Sequence, residues 1–127
     1  MTKQLELDLG GKPQGIMGMV KEFVKVTGQR PNVELSAVLI DEEYTEWGDE
    51  YYNGYTGENE LKELSDLVYV IYGYANARGW NLDEAVRRVH ENNIGRCVQP
   101  DGSIIRRYDG KIMKSPDYPK VELGDLV

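Results

Sequence analysis

Apolar residues recur at helical spacing in four stretches of this chain. Between 16 and 26, Ile16, Met19, Val20, Phe23 and Val24 return every three or four residues, as on one buried helix face, and Gly28 supplies a stop. After Pro31, residues 33–52 read as a second helix with Leu35, Val38, Leu39 and Trp47 on or near its buried side, broken at Gly54 and Gly57. The strongest pattern spans 58–78, where Leu61, Leu64, Leu67, Val68, Ile71, Tyr72 and Ala75 hold a helical period and Gly79 predicts a left-handed cap. A fourth helix opens at a capping box of Asn81 and Glu84 and turns Leu82, Ala85, Val86 and Val89 inward.

The pattern fades at both ends. Residues 1–14 carry a weak alternation at Leu5, Leu7 and Leu9 before Gly10, Gly11 and Pro13, which fits either a frayed arm or a short docked strand. Beyond Gly95, the Asp-Gly steps at 101–102 and 109–110 bracket Ile104 and Ile105 and predict a short hairpin or irregular tail without helix. The expected class is therefore all-α, a four-helix-bundle-like domain. An arm at 1–14, a helical body at 15–95 and a basic appendage at 96–127 are its parts.

Length and charge narrow the function. A chain of 127 residues is about one domain with one core. Its net charge of −7 argues against nucleic acid or anionic lipid as a partner. The single cysteine, Cys97, cannot close an internal disulfide, and no apolar run has signal-peptide or membrane-span length. The expectation is a soluble, cytoplasmic protein.

Acid is concentrated in the middle. From Asp41 to Asp66 there are 10 acidic residues and one base, Lys62, so pairing within the segment cannot neutralise it. Glu43 and Glu46 are spaced i,i+3, as are Glu63 and Asp66, which sets each pair on one helix face where like charges repel unless a cation intervenes. In helical bundles, metal sites are commonly built from inward carboxylates on adjacent helices. The two pairs lie on consecutive predicted helices, joined through 52–57. The one positive stretch, 96–120, holds six bases and three acids.

The ordered set Glu42-Glu43-x-x-Glu46, then Glu63-x-x-Asp66, resembles the signature of the MazG-like all-α nucleoside triphosphate pyrophosphohydrolases, which include phosphoribosyl-ATP pyrophosphohydrolase and the dimeric dUTPases. The resemblance covers about 19–119, with M-V-K-E-F, D-L-V-Y-V-I-Y-G, V-H-E-N-N-I-G-R and D-G-K-I-M-K-S-P, and is nearest to short phage-type members. It implies water attack at the α phosphate of a (d)NTP, giving (d)NMP and pyrophosphate, with two or three Mg²⁺ or Mn²⁺ ions. Glu43, Glu46, Glu63 and Asp66 match the metal ligands, and Glu42 the motif's extra glutamate, for a further metal or the water. Asn93, Arg96, Lys111 and Lys114 match substrate-side positions, with Arg96 standing where relatives carry lysine. If the tail is a strand, Lys111 and Lys114 point to opposite faces. The resemblance further implies a homo-oligomer, dimer or tetramer, and admits a purine, guanine in particular, as the base. The tail disfavours the dedicated histidine-biosynthetic enzyme.

Two other classes compete. Residues 49–60 have the length of a calcium loop, with Asp49, Asn53, Gly54 and Glu60 at positions 1, 5, 6 and 12, but Tyr51 stands where position 3 requires an oxygen donor. A non-catalytic oligomerisation domain is the other, and the four intact carboxylates disfavour it.

Overall fold

Helix ends are set by local chemistry in the computed structural model, which describes residues 15–54 and 56–127. The four helices are α1 (Gly15–Thr27), α2 (Val33–Asn53), α3 (Gly57–Arg78) and α4 (Leu82–Cys97), followed by a single 3₁₀ turn, Gly124–Leu126. Asn32 caps α2, its Oδ1 accepting from the Leu35 N–H at 2.8 Å. Gly54 ends α2 at φ 64°, a left-handed conformation costly for any residue with a Cβ, and Thr56 restarts the chain by accepting from the Asn59 N–H at 3.0 Å. Gly57, expected within the break, is thus the first residue of α3. Gly79 closes α3 at φ 76°, as its position predicts.

The all-α class expected from the pattern is the class adopted, with no extended strand among the described residues. The reading of 1–14 lies outside the described residues. α4 continues two residues past Gly95, to Cys97, where the sequence predicts a stop. The calcium-loop alternative falls here, because Asp49–Asn53 and Gly57–Glu60 are already helical and leave no twelve-residue loop.

Two compact units divide the chain, one ending at Leu82 and the other spanning Asp83–Val127. In the first, α2 and α3 run antiparallel in the most extensive helix contact, and α1 packs on α3. Met17, Val20, Tyr72 and Ala75 are its buried centre, with Ile16, Tyr69, Trp80 and Leu82 against them. Several residues predicted to point inward do not. Val38 is 51% and Leu61 64% exposed, and Met19, Phe23, Leu35, Leu64, Val68 and Ile71 are also open. Periodicity identifies side chains that share a face; whether another segment of the chain covers that face is a tertiary matter.

In the second unit the tail folds back along α4. The Ser115 N–H donates to the Arg96 carbonyl at 2.7 Å, Tyr118 lies over Gly95, and Asn92 donates to the Pro119 carbonyl at 2.9 Å. Arg88 closes the clasp with a bidentate pair to Asp125 at 2.6 and 2.9 Å and a bond to Glu84 at 2.8 Å. The tail itself makes two tight turns at its Asp-Gly steps, each closed by one antiparallel bridge, Val98 with Ile104 and Arg106 with Ile112.

This clasp predicts acid sensitivity. Hydrogen bonds from Arg87 and Arg88 hold the Glu84 carboxyl down to about 2, and Arg88 likewise lowers Asp125. A depressed carboxylate pKa contributes stability that is complete above the unfolded value, about 4.3, and is lost as pH falls through the folded value. The protection factor of the Leu126 amide, the intrinsic exchange rate at each pH over the observed rate, should therefore fall between about pH 4 and 2. In Arg88→Ala it should already be low at neutral pH, and strong protection in that variant would refute the clasp.

Candidate metal centre

The antiparallel α2–α3 pair brings the two predicted acidic pairs together. One carboxylate oxygen each from Glu43, Glu63 and Asp66 lie within 4.8 Å of one another. Glu46 adds to the group from one turn further along α2, its charge bearing on both Glu43 and Glu63. It is the most open of the four. Glu42, on the same turn, is exposed and outside the trio.

Electrostatics follow from this crowding. Burial, then repulsion from Glu46 and Asp66, pushes the Glu43 carboxyl above its ordinary value. Burial and the neighbouring Glu46 carboxyl raise Glu63 also, against the pull of Lys62. Lys62 is the local counter-charge, 2.6 Å from Asp66 and 3.8 Å from Glu63, and Asp66 raises its ammonium pKa. With a two-thirds exposed side chain, it screens the cluster only from the solvent side.

The residues fit a divalent cation. Glu43 Oε2 and Glu63 Oε2 are shielded from solvent and have no hydrogen-bond partner. Leaving such oxygens unpaired is costly, and a cation with oxygen ligands at about 2.0–2.6 Å would satisfy them. The donor set is all carboxylate, which suits hard ions such as Mg²⁺, Mn²⁺ or Ca²⁺.

Other features of the site were not legible in the sequence. Glu60 accepts a hydrogen bond from the Trp47 indole at 3.2 Å, which fixes the register of α2 against α3. Glu50, one turn beyond Glu46, has a buried and unpartnered Oε2. Moving the other way along the groove, from Glu43 to Leu39 and Ser36 and from Asp66 to Val70 and Gly73, leads to a cavity of about 110 Å³. Arg30, Asn32 and Asn76 give it polar edges, and Phe23 and Tyr69, edge to face at 5.9 Å, an aromatic wall.

The substrate-side candidates lie in the second unit. Asn93 is half-buried on α4, and Arg96 near its end has a buried Nε without a partner. Lys111 and Lys114 are exposed, yet they do not face apart as a strand would place them, because only Ile112 makes a bridge there. Together with Arg107 they line one cavity of about 240 Å³. Arg107 is paired with Asp109, so the two lysines are the freer charges.

Comparison with known proteins adds one finding. The sequence profile of phosphoribosyl-ATP pyrophosphohydrolase matches residues 20–93, which include α2, α3 and all four clustered carboxylates. No curated protein sequence matches the chain.

Proposed function

We infer the activity from one premise: the chain belongs to the phosphoribosyl-ATP pyrophosphohydrolase family, within the MazG-like all-α superfamily. Pyrophosphohydrolase chemistry follows from that membership. Our finer reading is metal-dependent hydrolysis of a nucleoside triphosphate to the monophosphate and pyrophosphate, carried chiefly by the convergence of Glu43, Glu63 and Asp66 with two shielded, unpartnered oxygens.

In this reading Glu43, Glu46, Glu63 and Asp66 hold Mg²⁺ or Mn²⁺, which when bound acidifies water and offsets charge on the polyphosphate. Water attacks the α phosphorus, the bond to the bridging oxygen of the β phosphate breaks, and pyrophosphate leaves. Glu42, on the solvent side of the same turn, is assigned to the incoming water. Lys62 pairs with Asp66 and Glu63 from the solvent side and keeps both carboxylates in place. On the family resemblance, Asn93, Arg96, Lys111 and Lys114 are assigned to substrate, the three cations to its anionic groups.

The cavity beside the carboxylates suits the nucleoside. Phe23 and Tyr69 offer apolar packing, and the Arg30 guanidinium and Asn76 amide offer the donors and acceptors that a purine edge requires. Between the purines, the family resemblance rather than the cavity makes guanine nucleotides the first choice. A homo-oligomer, dimer or tetramer, accounts for the open apolar face of Met19, Leu61, Leu64 and Val68 around a cavity of about 370 Å³. A monomer at micromolar concentration in the ultracentrifuge would overturn that part.

The deciding experiment is release of monophosphate and pyrophosphate from each dNTP and NTP, and from phosphoribosyl-ATP, with Mg²⁺, Mn²⁺ or Ca²⁺. Mg²⁺- or Mn²⁺-dependent cleavage, fastest for guanine, is expected. Equal rates for all bases would remove the guanine reading. Cleavage of phosphoribosyl-ATP alone would replace the substrate class, and no cleavage would refute the enzyme.

A further inference from the structure

Gly73 stands in the interior of α3, where glycine is a poor choice because it gives up more backbone freedom on entering a helix than any other residue. Two causes commonly retain one there, and neither holds. The Gly73 backbone is not in the left-handed region, which Gly79 occupies at the end of the same helix. No neighbour presses against it either, since a Cβ built at Gly73 would meet nothing within 4 Å.

What the missing side chain leaves is room. Gly73 lines the cavity of about 110 Å³ beside the carboxylates, together with Leu35, Ser36 and Leu39 of α2 and Phe23 of α1. A methyl group is about the size of a water molecule, whose share of liquid volume is about 30 Å³, so an alanine side chain there would take a substantial part of that space. The position is also in line with the metal centre. Residues 63, 66, 70 and 73 follow i, i+3, i+7, i+10 spacing, so Glu63, Asp66 and Gly73 share one face of α3. Gly73 lies about 10 Å beyond Asp66 along the helix axis, a span that a nucleoside extending from an α phosphate at the carboxylates covers.

We propose that Gly73 determines the size of base the cavity accepts, the room left by its absent side chain being taken by the second ring of a purine. This rests on the reading of the cavity as the nucleoside site. The lower helix stability at this position is the consequence of keeping the cavity wide.

The test compares wild type with Gly73→Ala and Gly48→Ala. Gly48 is interior to α2, also has open space at its Cβ and does not line this cavity, so it controls for the gain in helix stability alone. Both variants should melt about 2–5 °C above wild type. Only Gly73→Ala should change the substrate profile, lowering kcat/KM for dGTP relative to dCTP by about tenfold or more, chiefly through KM. Calorimetric titration with dGMP and dCMP in Mg²⁺ should show the same change in relative affinity, and it reads the cavity apart from turnover. A dGTP to dCTP ratio in Gly73→Ala within about threefold of wild type, or an equal loss for both bases, would overturn the assignment and leave the nucleoside reading standing. Wild type that binds dGMP without cleaving dGTP would sink the enzyme reading, and the dGMP affinity of Gly73→Ala would then decide for or against Gly73. Wild type that neither binds nor cleaves any of these nucleotides would overturn both.

Discussion

Glu43→Gln and Asp66→Asn should each lower turnover by at least about 10³-fold while helical circular dichroism stays at the wild-type level. Both residues are in the three-carboxylate cluster, and each substitution keeps side-chain size while removing one anionic ligand. The two effects should part company in stability. Repulsion among Glu43, Glu46, Glu63 and Asp66 opposes folding when no cation is present, so Glu43→Gln should raise the metal-free melting temperature. It should also remove most of the stabilisation that Mg²⁺ or Mn²⁺ gives wild type, because a ligand stabilises only in proportion to its affinity for the folded state. Loss of activity with a lowered metal-free melting temperature would mean that Glu43 is a structural residue. Full activity in either variant would sink the site.

How much of this was readable beforehand depended on whether the property was local. Helix existence and the caps at Gly54 and Gly79 follow from side-chain period and left-handed backbone, and both are written in short stretches. The pairing of Glu43 and Glu46 with Glu63 and Asp66 was legible for the same reason, since i,i+3 spacing and a short connection leave few arrangements. The failures are all tertiary. Leu61 and Leu64 carry the same periodic signal as Tyr72 and Ala75, yet the first two are open and the last two buried. Alternation in the tail separates Lys111 from Lys114, but two consecutive turns bring both to one cavity. Glu50 looked like one acid among many because its distinguishing feature is a shielded oxygen without a partner, a property of packing.

The second unit shows the same dependence on close packing, and its most sensitive point is a glycine. A Cβ added at Gly95 would fall within 3.0 Å of three atoms of the Tyr118 ring and hydroxyl. The backbone on either side of Tyr118 is held, Ser115 to Arg96, Pro119 to Asn92 and Asp125 to Arg88, so relief of the clash requires the ring to swing off α4 and give up its packing there. Gly95→Ala should therefore cost about 1–3 kcal/mol, the usual range for overpacking, and release the tail from α4 rather than melt the helix. Amide exchange at Ser115 should rise sharply with little change in helical circular dichroism. Because Lys111 and Lys114 precede this anchor in the chain and Arg96 is bonded within it, KM for the nucleotide should rise more than kcat falls. The cause can be isolated by a double-mutant cycle: in a Tyr118→Ala background, where the obstructing ring is gone, adding Gly95→Ala should cost almost nothing more. An undiminished cost there would place the strain in the helix backbone, and normal KM with a freed tail would remove Lys111, Lys114 and Arg96 from the substrate's anionic groups.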